Sequence, residues 1–199
     1  HGPVNVFEAL QKSCDVFFYT MGMQLGIDKI AKYARKIGYG VRTGIALDNE
    51  RSGLIPDSEW KKKAVGEEWQ PGETLSNAIG QGYDLVTPIQ QAVAYSAIGT
   101  EGLVYRPFLI QRIQDVDGKV KAEFGPKLIR DAQKKDSDND VFISPETFKI
   151  VKEGLHQVFD GPHGTAKAFN IPGLNMAGKT GTAQLFQLSA QELFAKCEN

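Results

Sequence analysis

Apolar positions recur at helical spacing in several stretches of this chain. Ile30, Ala34 and Ile37 fall on one face of a helix that Asp28 opens and Gly38 closes. After Pro88, Ile89, Val93 and Ala97 repeat the pattern up to Gly99. Phe148, Val151, Leu155 and Val158 mark another helix. It is introduced by Ser144-Pro145-Glu146, a capping hydroxyl followed by the residue best suited to a first helical turn. Nearer the start, Asn5 is placed to cap a short helix through Phe7, Leu10 and Gln11. A second apolar stretch runs from Val16 through Phe17, Phe18, Met21 and Leu25 to Gly26. Between residues 40 and 69 the periodicity fails. Gly44, Gly53, Pro56 and the Lys61-Lys62-Lys63 run predict an irregular, solvated excursion there.

Extended character follows. Leu103 to Ile113 is rich in Val, Tyr, Phe and Ile, and Asp117-Gly118 is a hairpin turn signal ahead of Val120 to Phe124. Asp131 to Asp140 (DAQKKDSDND) predicts a polar loop. Beyond Gly161-Pro162-His163-Gly164, the stretch from Asn175 to Phe186 predicts a strand loaded with small residues. Helices, then strands, then a helix, then a strand predict an α+β protein with a helical lobe and an antiparallel sheet.

Composition narrows the function classes. Of 199 residues, 41% are hydrophobic and 24% charged, so a folded core is expected and a disordered arm is excluded. With 23 Lys and Arg against 24 Asp and Glu the formal net charge is −1, which gives no basic face for nucleic acid. No apolar run reaches the roughly 18 residues of a membrane span. Cys14 and Cys197 are too few and too far apart for a disulfide framework. The opening His1-Gly2-Pro3, with neither Met nor leader, reads as a piece of something longer.

Two short segments carry candidate chemistry. In Ala177-Gly178-Lys179-Thr180-Gly181-Thr182-Ala183, a Lys sits among Gly and Thr. Small residues let another backbone approach closely, and two hydroxyls beside an ammonium suit a carboxylate ligand. By itself Lys179-Thr180-Gly181 serves equally well as a turn with a solvated Lys. In Ser13-Cys14-Asp15, between two helical segments, a hydroxyl and a carboxylate are placed on one side of a tight turn. Taken alone, that segment is also an ordinary helix cap.

Taken together, a Ser-x-Asp followed far downstream by Lys-Thr-Gly is the motif order of the penicillin-recognising serine acyltransferases. Between the two lie Trp69-Gln70-Pro71-Gly72-Glu73-Thr74, Ile79-Gly80-Gln81-Gly82-Tyr83 and Thr87-Pro88-Ile89-Gln90. Nearly the whole chain resembles the class B penicillin-binding proteins. Within them it looks most like the elongation-specific subgroup, penicillin-binding protein 2. The Ser-Cys-Asp form followed by Val16-Phe17-Phe18-Tyr19 is a feature of that subgroup, as is Gly53-Leu54-Ile55-Pro56-Asp57 before Glu59-Trp60-Lys61.

The resemblance implies a penicillin-binding, β-lactamase-like transpeptidase fold, with residues 1–199 forming a partial domain incomplete at both ends. It implies a peptidoglycan D,D-transpeptidase that cross-links stem peptides during cell-wall elongation through a serine acyl-enzyme, and that β-lactams target. Ser13 is the expected proton relay, Asp15 holds the polar network, and Lys179 is the third catalytic residue. Thr180, Gly181 and Thr182 form the expected substrate-binding set. The family nucleophile belongs to a Ser-x-x-Lys motif upstream of Ser-x-Asp. Ser58-Glu59-Trp60-Lys61 is the one match by letter in the chain. It follows Ser13 and falls in the charged excursion, so the nucleophile is expected outside this chain and the fragment alone inactive. Leu188 to Asn199 reads as a polar helix or loop where relatives continue their sheet.

The resemblance needs no cofactor for catalysis, but it raises a structural zinc in the intact protein, with His1 and Cys14 as two of its ligands. Buried Cys14 and a chain-end His1 are the plain alternative. His156 and His163 read as surface or capping residues. The implied partners are D-Ala-D-Ala stem peptides, β-lactams, a SEDS-family glycosyltransferase and rod-shape scaffold proteins. The implied location is the periplasmic face of a bacterial inner membrane, anchored by an N-terminal helix outside this chain. Glu67, Glu68 and Glu73 keep a β-lactam-hydrolysing relative open as an alternative. A β-lactam sensor and a non-catalytic cell-wall scaffold are others.

Overall fold

The computed structural model describes residues 1–183. The far end of the predicted Asn175–Phe186 strand, the stretch Leu188–Asn199 and Cys197 lie outside the described residues.

Three helices open the fold: α1 (Val6–Gln11), α2 (Asp15–Leu25) and α3 (Ile27–Lys36). Asn5 caps α1 as its spacing predicts. Its side chain accepts from Glu8 N–H and the Glu8 carboxylate accepts from Asn5 N–H, both at 3.0 Å. The start of α3 departs from expectation: Gly26, at φ +76°, holds the cap position, and Asp28 already lies inside the helix. A positive φ at the α2–α3 joint favours Gly over Asp. The Asp28 carboxylate instead accepts from Ser58 N–H at 2.9 Å and from the Ser58 hydroxyl at 2.8 Å, tying α3 to the next helix.

That next helix, α4 (Ser58–Ala64), corrects the reading of residues 40–69 as an irregular, solvated excursion. Asp57 caps it, accepting from Trp60 N–H at 2.7 Å. Helical periodicity splits the lysine run. Lys62 and Lys63 face water with side chains 68% and 73% exposed, while Lys61 points inward at 2%. The Lys61 ammonium pairs with Glu73 and lies over the rings of Trp69 and Tyr83. Glu73 belongs to α5 (Pro71–Ala78), which packs across α2.

Helix α6 (Pro88–Gly99) starts where Pro88 predicts, behind a Thr87 cap. Its Val93 and Ala97 pack with Val104 and Ile37 as a small core. Leu103 to Ile113 is not one strand, because Pro107 lacks the N–H a ladder needs. It divides into β1 (Leu103–Arg106) and β2 (Arg112–Gln114). The Asp117-Gly118 turn joins β2 to β3 (Val120–Glu123), as read. A further strand, β4 (Lys127–Asp131), pairs antiparallel with β1 and had no alternating pattern to announce it. The described strands thus form two antiparallel pairs rather than one sheet. The last helix, α7 (Pro145–Asp160), begins at the Ser144 cap and packs on α1 and α6. The polar loop expected over Asp131–Asp140 begins after Asp131, which ends β4, and runs on to α7; buried Lys36 reaches into it to pair with Asp136 and Asp140.

Asn175 to Ala183 is not a strand among the described residues. A strand exists only by pairing, and among the described residues this stretch makes one backbone bond to another element, from Gly178 N–H to Leu155 O at 3.1 Å. It lies against α7, with the Phe159 ring so close to Gly178 that a Cβ there would come within 3.1 Å.

Candidate active site

The turn between α1 and α2 presents Ser13. Its N–H donates to Leu10 O and the next N–H, of Cys14, donates to Ala9 O, which closes α1 within two residues. This tight exit places Ser13 at φ +54°, a conformation costing a non-glycine residue about 1–3 kcal/mol. Cys14 is the N-cap of α2, its carbonyl accepting from Phe17 and Phe18 N–H. Asp15 is the first residue of that helix and is exposed.

Lys179 reaches this turn from the far end of the described chain. Its Nζ donates to Ser13 Oγ at 2.6 Å, to Thr180 O at 3.0 Å and to Thr180 Oγ1 at 3.4 Å. Two of these contacts go to the neighbouring Thr180, so the bond to Ser13 is the one that ties the ammonium to a distant part of the chain. Burial pushes the Lys179 pKa down, and the negative charge of Asp15 pulls it back up. The structure therefore brings Ser13, Asp15, Lys179 and Thr180 together. Gly181 and Thr182 follow on the exposed side of Thr180. Thr165, in the loop after α7, adds a contact the sequence reading missed: its hydroxyl lies 2.8 Å from Thr180 Oγ1. No local pattern marks it.

The other sequence candidates are engaged elsewhere. The Ser58 hydroxyl donates to Asp28, and the Lys61 ammonium pairs with Glu73, so the letter match to Ser-x-x-Lys is a structural joint. His1 is exposed and Cys14 is 4% exposed with a free thiol. Among the described residues no group of three or more His, Cys, Asp or Glu side chains could hold a metal, so His1 and Cys14 do not make a zinc centre by themselves. His156 lines a recess of ≈ 510 Å³ between α6, α7 and the stretch holding Asn175 and Ala177; Ser13, Asp15, Lys179 and Thr180 do not line it. His163 is exposed. No described helix is long and apolar enough to cross a membrane.

Comparison with known proteins decides the family. Residues 1–195 match the family model of the penicillin binding protein transpeptidase domain. The chain belongs to that family. It is 37% identical over 195 residues to the peptidoglycan D,D-transpeptidase MrdA of Escherichia coli K12, an alignment covering 98% of this chain and 29% of that protein. The chain thus spans under a third of that curated relative. Among solved structures it superposes on Pseudomonas aeruginosa PBP2 in complex with WCK 5153 at a TM-score of 0.73 and 33% identity, covering 92% of this chain and 39% of that one. Helicobacter pylori PBP2 in complex with MreC gives 0.74 at 31% identity, over 93% and 31% of the two chains. The penicillin-binding transpeptidase architecture expected from the motif order is thereby established, and the Lys179–Ser13 contact lies between this transpeptidase domain's Ser-x-Asp and Lys-Thr-Gly motifs.

Proposed function

We propose that the protein containing this chain is a peptidoglycan D,D-transpeptidase of cell-wall elongation, a target of β-lactams. The observation that carries the reading is the 2.6 Å bond from Lys179 Nζ to Ser13 Oγ, which joins two motifs 166 residues apart. In the reaction a serine Oγ, supplied from outside the 199 residues, attacks the carbonyl of a D-Ala-D-Ala bond. D-Ala leaves, and an amine of a neighbouring stem then takes the acyl group from the serine. Ser13 accepts from Lys179 and so keeps its own hydrogen for the leaving amine. Asp15 favours the protonated state of Lys179, which with Thr180 and Thr182 anchors the terminal carboxylate. The Thr182 N–H supplies one oxyanion donor; losing such a donor raises a barrier by about 2.7–4 kcal/mol.

The hydrolase alternative needs a free carboxylate to activate water. Glu67 and Glu73 face Lys61 and Glu68 pairs with Lys62, which argues against it. The solved complex of a Helicobacter pylori relative with MreC supports protein partners for the intact enzyme, in our reading rod-shape scaffold proteins and a SEDS-family glycosyltransferase. We place the whole protein at the periplasmic face of a bacterial inner membrane.

Labelling with fluorescent penicillin, read by intact mass and peptide mapping, tests the reaction on this chain and on one extended upstream. The expected result is a stable penicilloyl adduct on an upstream serine of the extended chain alone. A label on Ser58, or none on either chain, overturns the reading.

A further inference from the structure

Thr165 belongs to neither motif, yet it touches the carriers of both. Its hydroxyl lies 2.8 Å from Thr180 Oγ1, and its backbone N–H donates to Gln11 O at 3.3 Å. Gln11 ends α1, two residues before Ser13. A closed circuit results: from Ser13 to Lys179, along the chain to Thr180, across to Thr165, and back through Gln11 to the turn holding Ser13.

The loop that delivers Thr165 has little slack. Ala166 N–H donates to Val158 O at 3.0 Å, Gly164 N–H to Gly161 O at 3.1 Å and Lys167 N–H to Gly164 O at 3.2 Å. A Cβ at Gly161 would run into the Gln11 side chain, and one at Gly164 into the Val158 carbonyl. The loop therefore packs its backbone directly on α1 and α7, and Thr165 is held at a fixed place beside Thr180.

Hydroxyl bookkeeping gives this contact a direction. A threonine hydroxyl has one hydrogen and two lone pairs. Lys179 Nζ, 3.4 Å from Thr180 Oγ1, already donates to one lone pair. If Thr180 donated to Thr165, its single hydrogen would be lost to substrate. We propose that Thr165 is a positioning residue for the carboxylate site: its hydroxyl donates to Thr180 Oγ1, fills the second lone pair and leaves the Thr180 hydrogen for the terminal carboxylate of a bound peptide. The proposal rests on the reading that Lys179 and Thr180 hold that carboxylate.

Thr165 is exposed, so changes there do not touch the core. Thr165→Val keeps the shape and removes the donor, while Thr165→Ser keeps the donor. Both are made in the intact protein. Three quantities are read: the second-order rate constant of acylation by fluorescent penicillin, amide hydrogen exchange over residues 177–183, and Tm. Thr165→Val is expected to slow acylation about tenfold, the scale of one hydrogen bond, through weaker binding rather than a slower chemical step. It should also speed exchange over residues 177–183 without moving Tm. Thr165→Ser should restore both. Normal acylation in Thr165→Val, or no rescue by Thr165→Ser, overturns the proposal. A wild-type protein that forms no adduct counts against the transpeptidase reading instead; exchange then decides, and an unchanged rate in Thr165→Val overturns the positioning role.

Discussion

The Lys179 ammonium donates to the Ser13 hydroxyl at 2.6 Å, at a turn whose geometry forces Ser13 to a positive φ. A strained, half-buried serine facing a half-buried lysine is an arrangement packing alone does not favour. Replacing either side chain tests what the contact does. Lys179→Ala in the intact protein should lower the acylation rate constant about 100-fold, the upper scale of losing a hydrogen bond between charged groups at the carboxylate anchor. Ser13→Ala should lower it by about 100-fold as well, the lower end for a proton-transfer group. The two effects should not add in the double variant, because they remove one linked unit. Stopped-flow acylation measures all three, and additive losses would count against the linkage.

Asp15 should set the pH range of the site. Burial depresses the Lys179 pKa, and the Asp15 charge opposes that depression. Asp15→Asn removes the opposition, so the pKa of Lys179 falls further. A carboxylate anchor works only while Lys179 is protonated, so activity should be lost on the alkaline side. In Asp15→Asn that alkaline limb should move to lower pH. The stability sign is opposite. A lysine whose folded pKa is depressed opposes folding while it is protonated, and that opposition fades as pH rises through the folded value towards 10.5. Acylation profiles and thermal unfolding at stepped pH read the two effects separately. An unmoved alkaline limb in Asp15→Asn would remove Asp15 from the network.

Much of this site was legible in the sequence. Ser13, Asp15 and Lys179 became a candidate site through the order of their two motifs and the family resemblance it carries, since each segment alone reads as a cap or a turn; the helix starts at Asn5, Pro88 and Ser144-Pro145 are local capping rules. What stayed hidden depends on neighbours distant in the chain. Thr165 matters only because the loop after α7 packs on α1. Lys61 reads as one of three solvated lysines until Glu73, Trp69 and Tyr83 are folded around it. The strand expected over Asn175–Phe186 is absent from its described part, residues 175–183, for the same reason, since small residues give extended backbone but not the partner a ladder needs.

The lysine run offers a stability test of that point. Lys61 is 1% exposed and compensates Glu73, with Glu67 3.6 Å away. Lys61→Ala leaves Glu73 without its cation inside the helical lobe, so Tm should fall by several degrees. Lys62→Ala and Lys63→Ala break exposed pairs and should leave Tm within error. Replacing Lys61 by Met together with Glu73 by Gln should recover part of the loss, because no unpaired charge is then buried. Calorimetry on the four variants decides it, and equal losses at Lys61 and Lys62 would contradict the inward placement.

Packing of α2 on α5 gives the last test. At Gly22 a Cβ would come 2.5 Å from the Ala78 Cβ, closer than two carbons can approach. Gly22→Ala gains about 1 kcal/mol of helix propensity, yet overpacking costs about 1–3 kcal/mol, so a net destabilisation is expected. Ala78→Gly by itself loses propensity and a small contact, and should also destabilise. In the double variant the clash is gone: the methyl group now comes from α2 and α5 supplies the space. Denaturant unfolding should therefore show the pair less destabilised than the sum of its parts, with a coupling of about 1–2 kcal/mol. Strict additivity would mean that α2 and α5 do not meet at these residues. That result would displace α5 and, with it, Glu73, the counter-ion that holds Lys61 inside.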